Sequence, residues 1–298
     1  MTNTVNEKNE IELLVSTDWL EENLNDPKLR VFDCTVIATL NPDKDAKFPF
    51  LFESGISQFN EGHIPGAGHL DLLGELSDTT SELLFPLPTQ QQFVDAMSKA
   101  GIGNDTHVVL YGTAEPIWAA RLWWMLRAFG FDNAAILDGG WAKWSVENRA
   151  ISKEASTYAA GQFTAQVRSK CFVSKEQVLD AVGQKSIRTI NALPPMMFTG
   201  EGGPFFGRKG RIPDSVNVPF MSLHDPDAGT YLPTEQLRSK FDAVSACDAD
   251  SIIAYCGSGI AASNDAFVLT MLGYENVAVY DASLAEWGND ASLPMEIG

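Results

Sequence analysis

The sequence predicts an α/β protein of two tandem units, each a mainly parallel sheet flanked by helices. Three observations carry the prediction. A motif pattern runs twice along the chain, each run alternates short apolar strands with helix-length segments, and only the second run sets a cysteine between a strand and a helix.

The elements match in order. Ser16 and Ser174 each open a helical pattern, the second with Gln177 placed for a capping box. Early buried strands follow, Val31-Phe32-Asp33 and Arg188-Thr189-Ile190-Asn191. Gly62-His63-Ile64-Pro65-Gly66-Ala67 matches Gly210-Arg211-Ile212-Pro213-Asp214-Ser215. Leu87-Pro88-Thr89 matches Leu232-Pro233-Thr234, with each threonine expected as a helix N-cap. The strand Val108-Val109-Leu110-Tyr111 before Gly112 matches Ile252-Ile253-Ala254-Tyr255 before Cys256. The next helices end near Gly130 and Gly273, both suited to a C′ position. Short runs ending at Asp138 and Asp281 follow, then Trp144 and Trp287, each fourteen residues after its glycine. The polar stretch from about Ser145 to Lys170 joins the halves. The expected boundaries are 11–148 for the first unit, 149–170 for a linker and 171–298 for the second.

Composition narrows the function. The chain has 298 residues, 45% of them hydrophobic, and a formal charge of −18. That is core enough for two units, and the charge repels nucleic acid and anionic membranes. Met1 to Glu10 has no apolar signal region, and no apolar run reaches membrane-spanning length. The four cysteines (Cys34, Cys171, Cys247 and Cys256) form no C-x-x-C pair. A metal knuckle or dithiol motif is therefore not expected, and a reduced cytoplasmic protein is.

Cys256 carries the chemistry. It follows the apolar run Ser251–Tyr255 and precedes Gly257-Ser258-Gly259-Ile260-Ala261-Ala262-Ser263, with a helix expected from Asn264 to Leu272. Backbone N–H groups and a positive helix terminus should converge on the sulfur, so the thiolate is expected to be favoured. Gly112 stands at the matching place in the first half. One unit is therefore expected to be catalytic and the other supporting, although a turn glycine would look the same.

Together these segments resemble the tandem-domain rhodanese family of sulfurtransferases, over about Ile11 to Trp287. His63-Ile64-Pro65-Gly66-Ala67 is similar to its first-domain signature. Ala119-Ala120-Arg121-Leu122-Trp123-Trp124 with Leu137-Asp138-Gly139-Gly140-Trp141 is similar to its mid-chain signature. Cys256-Gly257-Ser258-Gly259 resembles the active loop of the 3-mercaptopyruvate branch, since the thiosulfate branch more often has basic residues after the cysteine. The resemblance implies a Cys256 persulfide formed from a small-molecule sulfur donor, 3-mercaptopyruvate in preference to thiosulfate. The sulfur then passes to cyanide or a thiol, with a thioredoxin-like reductant as a further partner. No metal or organic cofactor is implied. The amides of Gly257, Gly259, Ile260, Ala261 and Ala262 would cradle the persulfide. Ser258 and His63 would form a proton relay, with Glu53 the nearest acidic candidate. Two plainer readings stand beside this one: His63 packed structurally by the proline turn, and Ser258 simply small.

The chain also departs from the family pattern. Leu193 and Met197 stand where two donor-binding arginines are usual, and Ile260-Ala261 replaces Val-Thr. Neither Leu nor Met neutralises an anion as a bidentate arginine does. Arg208, Lys209 and Arg211 are the expected substitutes; a solvated basic loop is the alternative. Pro194-Pro195-Met196-Met197-Phe198 is either an apolar wall selecting a different donor or core. Phosphatase chemistry is disfavoured, because Ala262 stands where a phosphate-clamping arginine is needed. A sulfur-carrier or binding module with weak turnover is the non-enzymatic alternative. Cys34 reads as core, Cys171 as structural and Cys247 as exposed. Trp123, Trp124, Trp141 and Trp144 read as packing residues. Asp138 and Asp281 read as caps of the next helix or cleft residues.

Overall fold

Short apolar strands separated by capped helices build two five-stranded, wholly parallel sheets with the same strand order. The computed structural model describes residues 12–43, 48, 50–113, 115–154, 156–202 and 205–298. Residue 11, where the first unit was expected to begin, lies outside them.

The first half contains β1 (Leu14–Val15), α1 (Thr17–Asn23), β2 (Leu29–Asp33), β3 (Val36–Leu40), β4 (Phe50–Ser54) and α2 (Ile56–Glu61). It continues with β5 (Gly68–His69), α3 (Gln90–Lys99), β6 (His107–Tyr111), α4 (Ile117–Ala128), β7 (Ala134–Leu137) and α5 (Gly140–Val146). The second half contains β8 (Phe172–Val173), α6 (Lys175–Ala181), β9 (Ile187–Asn191), α7 (Pro195–Thr199) and β10 (Val216–Asn217). It closes with α8 (Thr234–Asp242), β11 (Ser251–Tyr255), α9 (Ile260–Met271), β12 (Val277–Tyr280) and α10 (Ser283–Trp287).

The sheets run β1-β7-β6-β2-β5 and β8-β12-β11-β9-β10, so each element has its partner at the same place. The antiparallel hairpin β3–β4 is an addition to the first half.

Local chemistry explains the helix ends. Ser16 and Thr89 accept the N–H groups of Trp19 and Gln92, and Ser174 with Gln177 forms the full capping box. Gly130 and Gly273 both adopt φ of +90°, the left-handed turn that ends α4 and α9. Two boundaries differ from expectation. Pro233 rather than Thr234 caps α8, so the threonine is already helical. The helix after Cys256 starts at Ile260, because its small residues pack helically against buried neighbours.

Helices α4 and α9 pack against each other across the two halves, with Trp123 edge-on to Phe267 at 4.9 Å. Trp124 donates to the Cys171 carbonyl at 3.1 Å. Trp123, Trp124 and Trp144 are buried as expected, whereas Trp141 is half-buried. Asp138 and Asp281 cap no helix and instead cross the interface in matching fashion. Asp138 accepts the Tyr231 N–H at 2.9 Å, and Asp281 accepts the Leu87 N–H at 3.2 Å. Asp281 also lies 2.6 Å from the buried Arg121 guanidinium, which donates to the Phe85 carbonyl. Each strand-end carboxylate thus holds a loop of the opposite half, where few waters compete for it.

Candidate active site

Strand β11 delivers Cys256 to the domain interface, and α9 begins four residues later. Between them the chain turns tightly, with Gly259 at φ +77°. A Cβ there would lie 2.7 Å from the Asp281 carbonyl oxygen and 3.1 Å from Arg121 Nη1, so only glycine fits. Gly257 lies under the Phe206 ring, 2.2 Å from where a Cβ would sit. The loop is held from behind by α10: Leu284 N–H donates to the Cys256 carbonyl at 3.1 Å, and Ala285 N–H to the Gly257 carbonyl at 2.9 Å.

Around the Cys256 sulfur stand the N–H groups of Ala262, Ser258 and Ala261. They hold the thiol down, as does the Ser283 hydroxyl, but burial is the larger effect and pushes it up overall. The expectation of a favoured thiolate is therefore corrected. The amides point at the sulfur, yet the side chain is nearly solvent-free and the charge loses its hydration. Ser283 was not singled out in the sequence. Its hydroxyl accepts the Cys256 N–H at 3.0 Å and donates to the Tyr280 carbonyl at 2.7 Å.

Above the thiol lies a cavity of about 540 Å³. Cys256, Gly257, Ser258, Ile260 and Ala261 form its floor, with Leu193, Pro194 and Met197 beside them. The apolar-wall reading of Pro194–Phe198 thus agrees with where Pro194 and Met197 lie. The first half supplies the roof, including Phe52 from β4 and Trp118 from α4.

The remaining expected site residues lie elsewhere. His63 is buried, stacked on Phe59 at 3.9 Å, with its ring nitrogens facing the carbonyls of Phe59 and Glu154. It does not line the cavity, so the structural reading replaces the relay. Glu53 is exposed on β4, on the strand face opposite Phe52, and does not line the cavity either. Arg208 spends its guanidinium on the carbonyls of Trp287, Gly288, Asp290 and Leu293. Arg211 pairs with Glu296, reaches the Gly298 carbonyl and lies over the Phe198 ring. Both arginines staple the C-terminal segment and are corrected as donor ligands. Lys209 is exposed and lies outside the cavity lining. Cys34 and Cys171 are buried and Cys247 is exposed. No group of His, Cys, Asp and Glu suited to a metal occurs among the described residues.

Gly112 takes the place of Cys256 in the first half. Trp141 N–H donates to its carbonyl at 3.0 Å, as Leu284 does to Cys256. The space beside it has shrunk to about 10 Å³. A Cβ on Gly140 would meet the Gly112 oxygen at 2.5 Å.

Comparison with known proteins agrees with this geometry. The rhodanese-like domain family matches residues 16–147 and 174–290. The chain is 34% identical to the thiosulfate/3-mercaptopyruvate sulfurtransferase 2 of Arabidopsis thaliana, over 95% of this chain and 86% of that one. It is 31% identical to the sulfur carrier protein TtuD of Thermus thermophilus, over 96% and 97%. Its fold is similar to the crystal structure of SseA from Escherichia coli, described as a 3-mercaptopyruvate sulfotransferase. The TM-score is 0.78 and the identity 31%, over 91% of this chain and 98% of that one.

Proposed function

This chain belongs to the rhodanese-like family in two tandem copies, and from that premise we propose that it is a sulfurtransferase working through a Cys256 persulfide. The favoured donor is 3-mercaptopyruvate, with thiosulfate as the alternative. The observation that carries the reading is the Cys256 sulfur, ringed by the N–H groups of Ser258, Ala261 and Ala262 at the start of α9 and opening into a cavity.

The thiolate attacks the donor sulfur. With 3-mercaptopyruvate the carbon–sulfur bond breaks, the carbon keeps the electron pair, and protonation gives pyruvate. The outer sulfur stays on Cys256 as an anion that the loop amides stabilise. Ser258 lines the cavity floor, which supports a role for its hydroxyl in passing the proton. A thiol, cyanide or a thioredoxin-like reductant then removes the sulfur. The first unit, 11–148, is the supporting one; 149–170 is the linker and 171–298 the catalytic unit. Cytoplasmic placement rests on four free cysteines, which suit a reducing compartment. No helix among the described residues is long and apolar enough to cross a membrane.

A paired assay tests the proposal. Cyanide-dependent sulfur transfer is measured from 3-mercaptopyruvate and from thiosulfate, alongside intact mass after each donor. One added sulfur on the wild type, absent from Cys256→Ala together with turnover, is the expected result. Turnover surviving in Cys256→Ala removes the cysteine from the mechanism. Loading without repeated turnover indicates the less favoured reading, a sulfur carrier.

A further inference from the structure

Sulfur transfer at Cys256 needs a path for a proton. Burial pushes the thiol up, so its proton has to leave before the sulfur attacks. With 3-mercaptopyruvate a proton must also come back, because the carbon that loses sulfur takes one to become pyruvate. His63 and Glu53 stand outside the cavity, and no histidine lines it among the described residues. Glu115 is the carboxylate among the described lining residues, and it is exposed.

The first half holds a better-placed acid. The hydroxyls of Thr35 and Thr113 stand 2.8 Å apart in the cavity wall. Thr113 N–H donates to Thr35 Oγ1 at 3.0 Å, and Thr35 N–H donates to the Asp33 carboxylate at 2.7 Å. The Thr35 hydroxyl bears on the same carboxylate, which ends β2 and is 3% exposed. The second half shows that the fold does not require this chemistry. There Asn191 ends β9 and accepts the Leu193 N–H at 2.8 Å, the same turn made with an amide and an apolar side chain. Gly257 follows Cys256 where Thr113 follows Gly112. The carboxylate and both hydroxyls thus stand on the half without the nucleophile, where the other half has Asn, Leu and Gly.

We infer that Asp33, acting through the Thr35 and Thr113 hydroxyls, takes and returns the proton of sulfur transfer at Cys256. The inference rests on the reading of Cys256 as the sulfur-carrying thiol with 3-mercaptopyruvate as donor. Thr35 Oγ1 has two lone pairs and one proton. The Thr113 N–H occupies one lone pair. With the proton aimed at Asp33, the second lone pair accepts the Thr113 hydroxyl. The Thr113 oxygen is then open to a proton from the cavity, and water or the Ser258 hydroxyl completes the path to the sulfur. Burial raises the Asp33 carboxyl and so brings it nearer the thiol it serves. His69 from β5 and Tyr111 from β6 face Asp33, Cys34 adjoins it, and Asp71 faces His69. His69 pulls the carboxyl back by less than burial lifts it.

The step balances without an outside oxidant or reductant. The Cys256 thiol proton passes through Thr113 and Thr35 to the Asp33 carboxylate. Cys256 Sγ bonds to the donor sulfur, the carbon–sulfur bond breaks, and its electron pair stays on carbon as an enolate. The carbon is reduced as the two sulfurs become a persulfide. The proton on Asp33 returns along the same hydroxyls to that carbon, giving pyruvate and restoring the carboxylate.

Turnover of 3-mercaptopyruvate by the full chain, followed against pH, tests the inference. Wild-type kcat/KM should stay level across neutral pH. Alkylation of Cys256 by iodoacetamide draws on free thiolate alone and should rise over the same range. In Asp33→Asn, turnover at neutral pH should fall about ten-fold or more and then climb with pH until the gap narrows. Asn191 shows that asparagine serves this turn, and thermal melts check that the variant folds. Thr113→Val should show the same defect, and the double variant no more than either alone, because linked groups act as a unit. Equal rates and parallel pH profiles for wild type and Asp33→Asn overturn the inference. So do additive defects in the double variant, or a level region lost in Glu115→Gln in place of Asp33→Asn. If no donor loads sulfur onto wild-type Cys256, the sulfurtransferase reading itself fails, and the relay falls with it.

Discussion

Ser283 and Gly140 occupy the same left-handed position in the two halves, at φ +50° and +52°, and only the serine reaches the cysteine loop. A non-glycine residue held there costs about 1–2 kcal/mol, and the serine in return satisfies the buried Cys256 N–H. Ser283→Gly removes the strain and the hydroxyl together. Its stability should stay within about 2 kcal/mol of wild type, because relief of strain offsets part of the loss of two buried hydrogen bonds, one from the Cys256 N–H and one to the Tyr280 carbonyl. The thiol should titrate still higher, since the hydroxyl now holds it down. The pH dependence of iodoacetamide alkylation reads that shift directly, and a midpoint moving down would refute it.

In the wild type, alkylation of Cys256 should keep rising with pH beyond the ordinary free-thiol range. Burial outweighs the three amides, so the thiolate fraction is small at neutral pH. A plateau below pH 7 would show that the amides win.

Asp265 sits fully buried in α9 with neither carboxylate oxygen hydrogen-bonded among the described residues. Burial raises its pKa well above the usual carboxylate value. The folded state therefore holds a proton that the unfolded chain releases near pH 4. Its contribution to stability is complete below that pH and is lost as pH rises through the folded value, at about 1.4 kcal/mol per pH unit. Asp265→Asn should flatten this slope and raise the urea midpoint at pH 8 relative to wild type. Parallel pH profiles for the two proteins would count against it.

Arg121→Ala leaves the Asp281 carboxylate without its cationic partner, with only the Leu87 N–H still donating across the interface, and should cost about 3–5 kcal/mol. Because the pair lies behind Gly259, sulfur transfer should fall as well. Arg121→Met fills the space and should recover part of the loss in packing but not the loop position. Chemical denaturation and kcat separate the two effects.

His63→Phe and Arg208→Ala should leave the KM for the sulfur donor within about two-fold while lowering the melting temperature. Each removes packing or several hydrogen bonds made by a side chain outside the cavity lining. A large KM change in either would restore it to the donor site.

Much of the fold was legible because the punctuation is local. Ser16, Thr89, Gln177, Gly130 and Gly273 act on residues one to four positions away, and the sequence displays those neighbours. Cys256 was legible for the same reason, since its strand, loop and helix are contiguous. Arg208 and Arg211 were misread because their partners lie some 80 residues downstream, in the C-terminal segment. The direction of the Cys256 shift depends on burial by distant chain, which local spacing does not report. Ser283 left a usable trace: in the aligned repeats, Asp138-Gly139-Gly140 becomes Asp281-Ala282-Ser283, a costly exchange at a left-handed position.

The small space at Gly112 has a consequence for the other half. With Gly112 where the other half has Cys256, the first half lends Thr35, Phe52, Phe85, Thr113 and Trp118 to the chamber above the other half's thiol. The thiol thus comes from one half, and the walls above it come from both, with Leu193, Pro194 and Met197 on its own side. Changes at Phe52 or Trp118 therefore reshape the chamber from a half that does not carry the cysteine loop. Duplication has set a second copy of the fold over the loop that bears the thiol, where it closes the space from above.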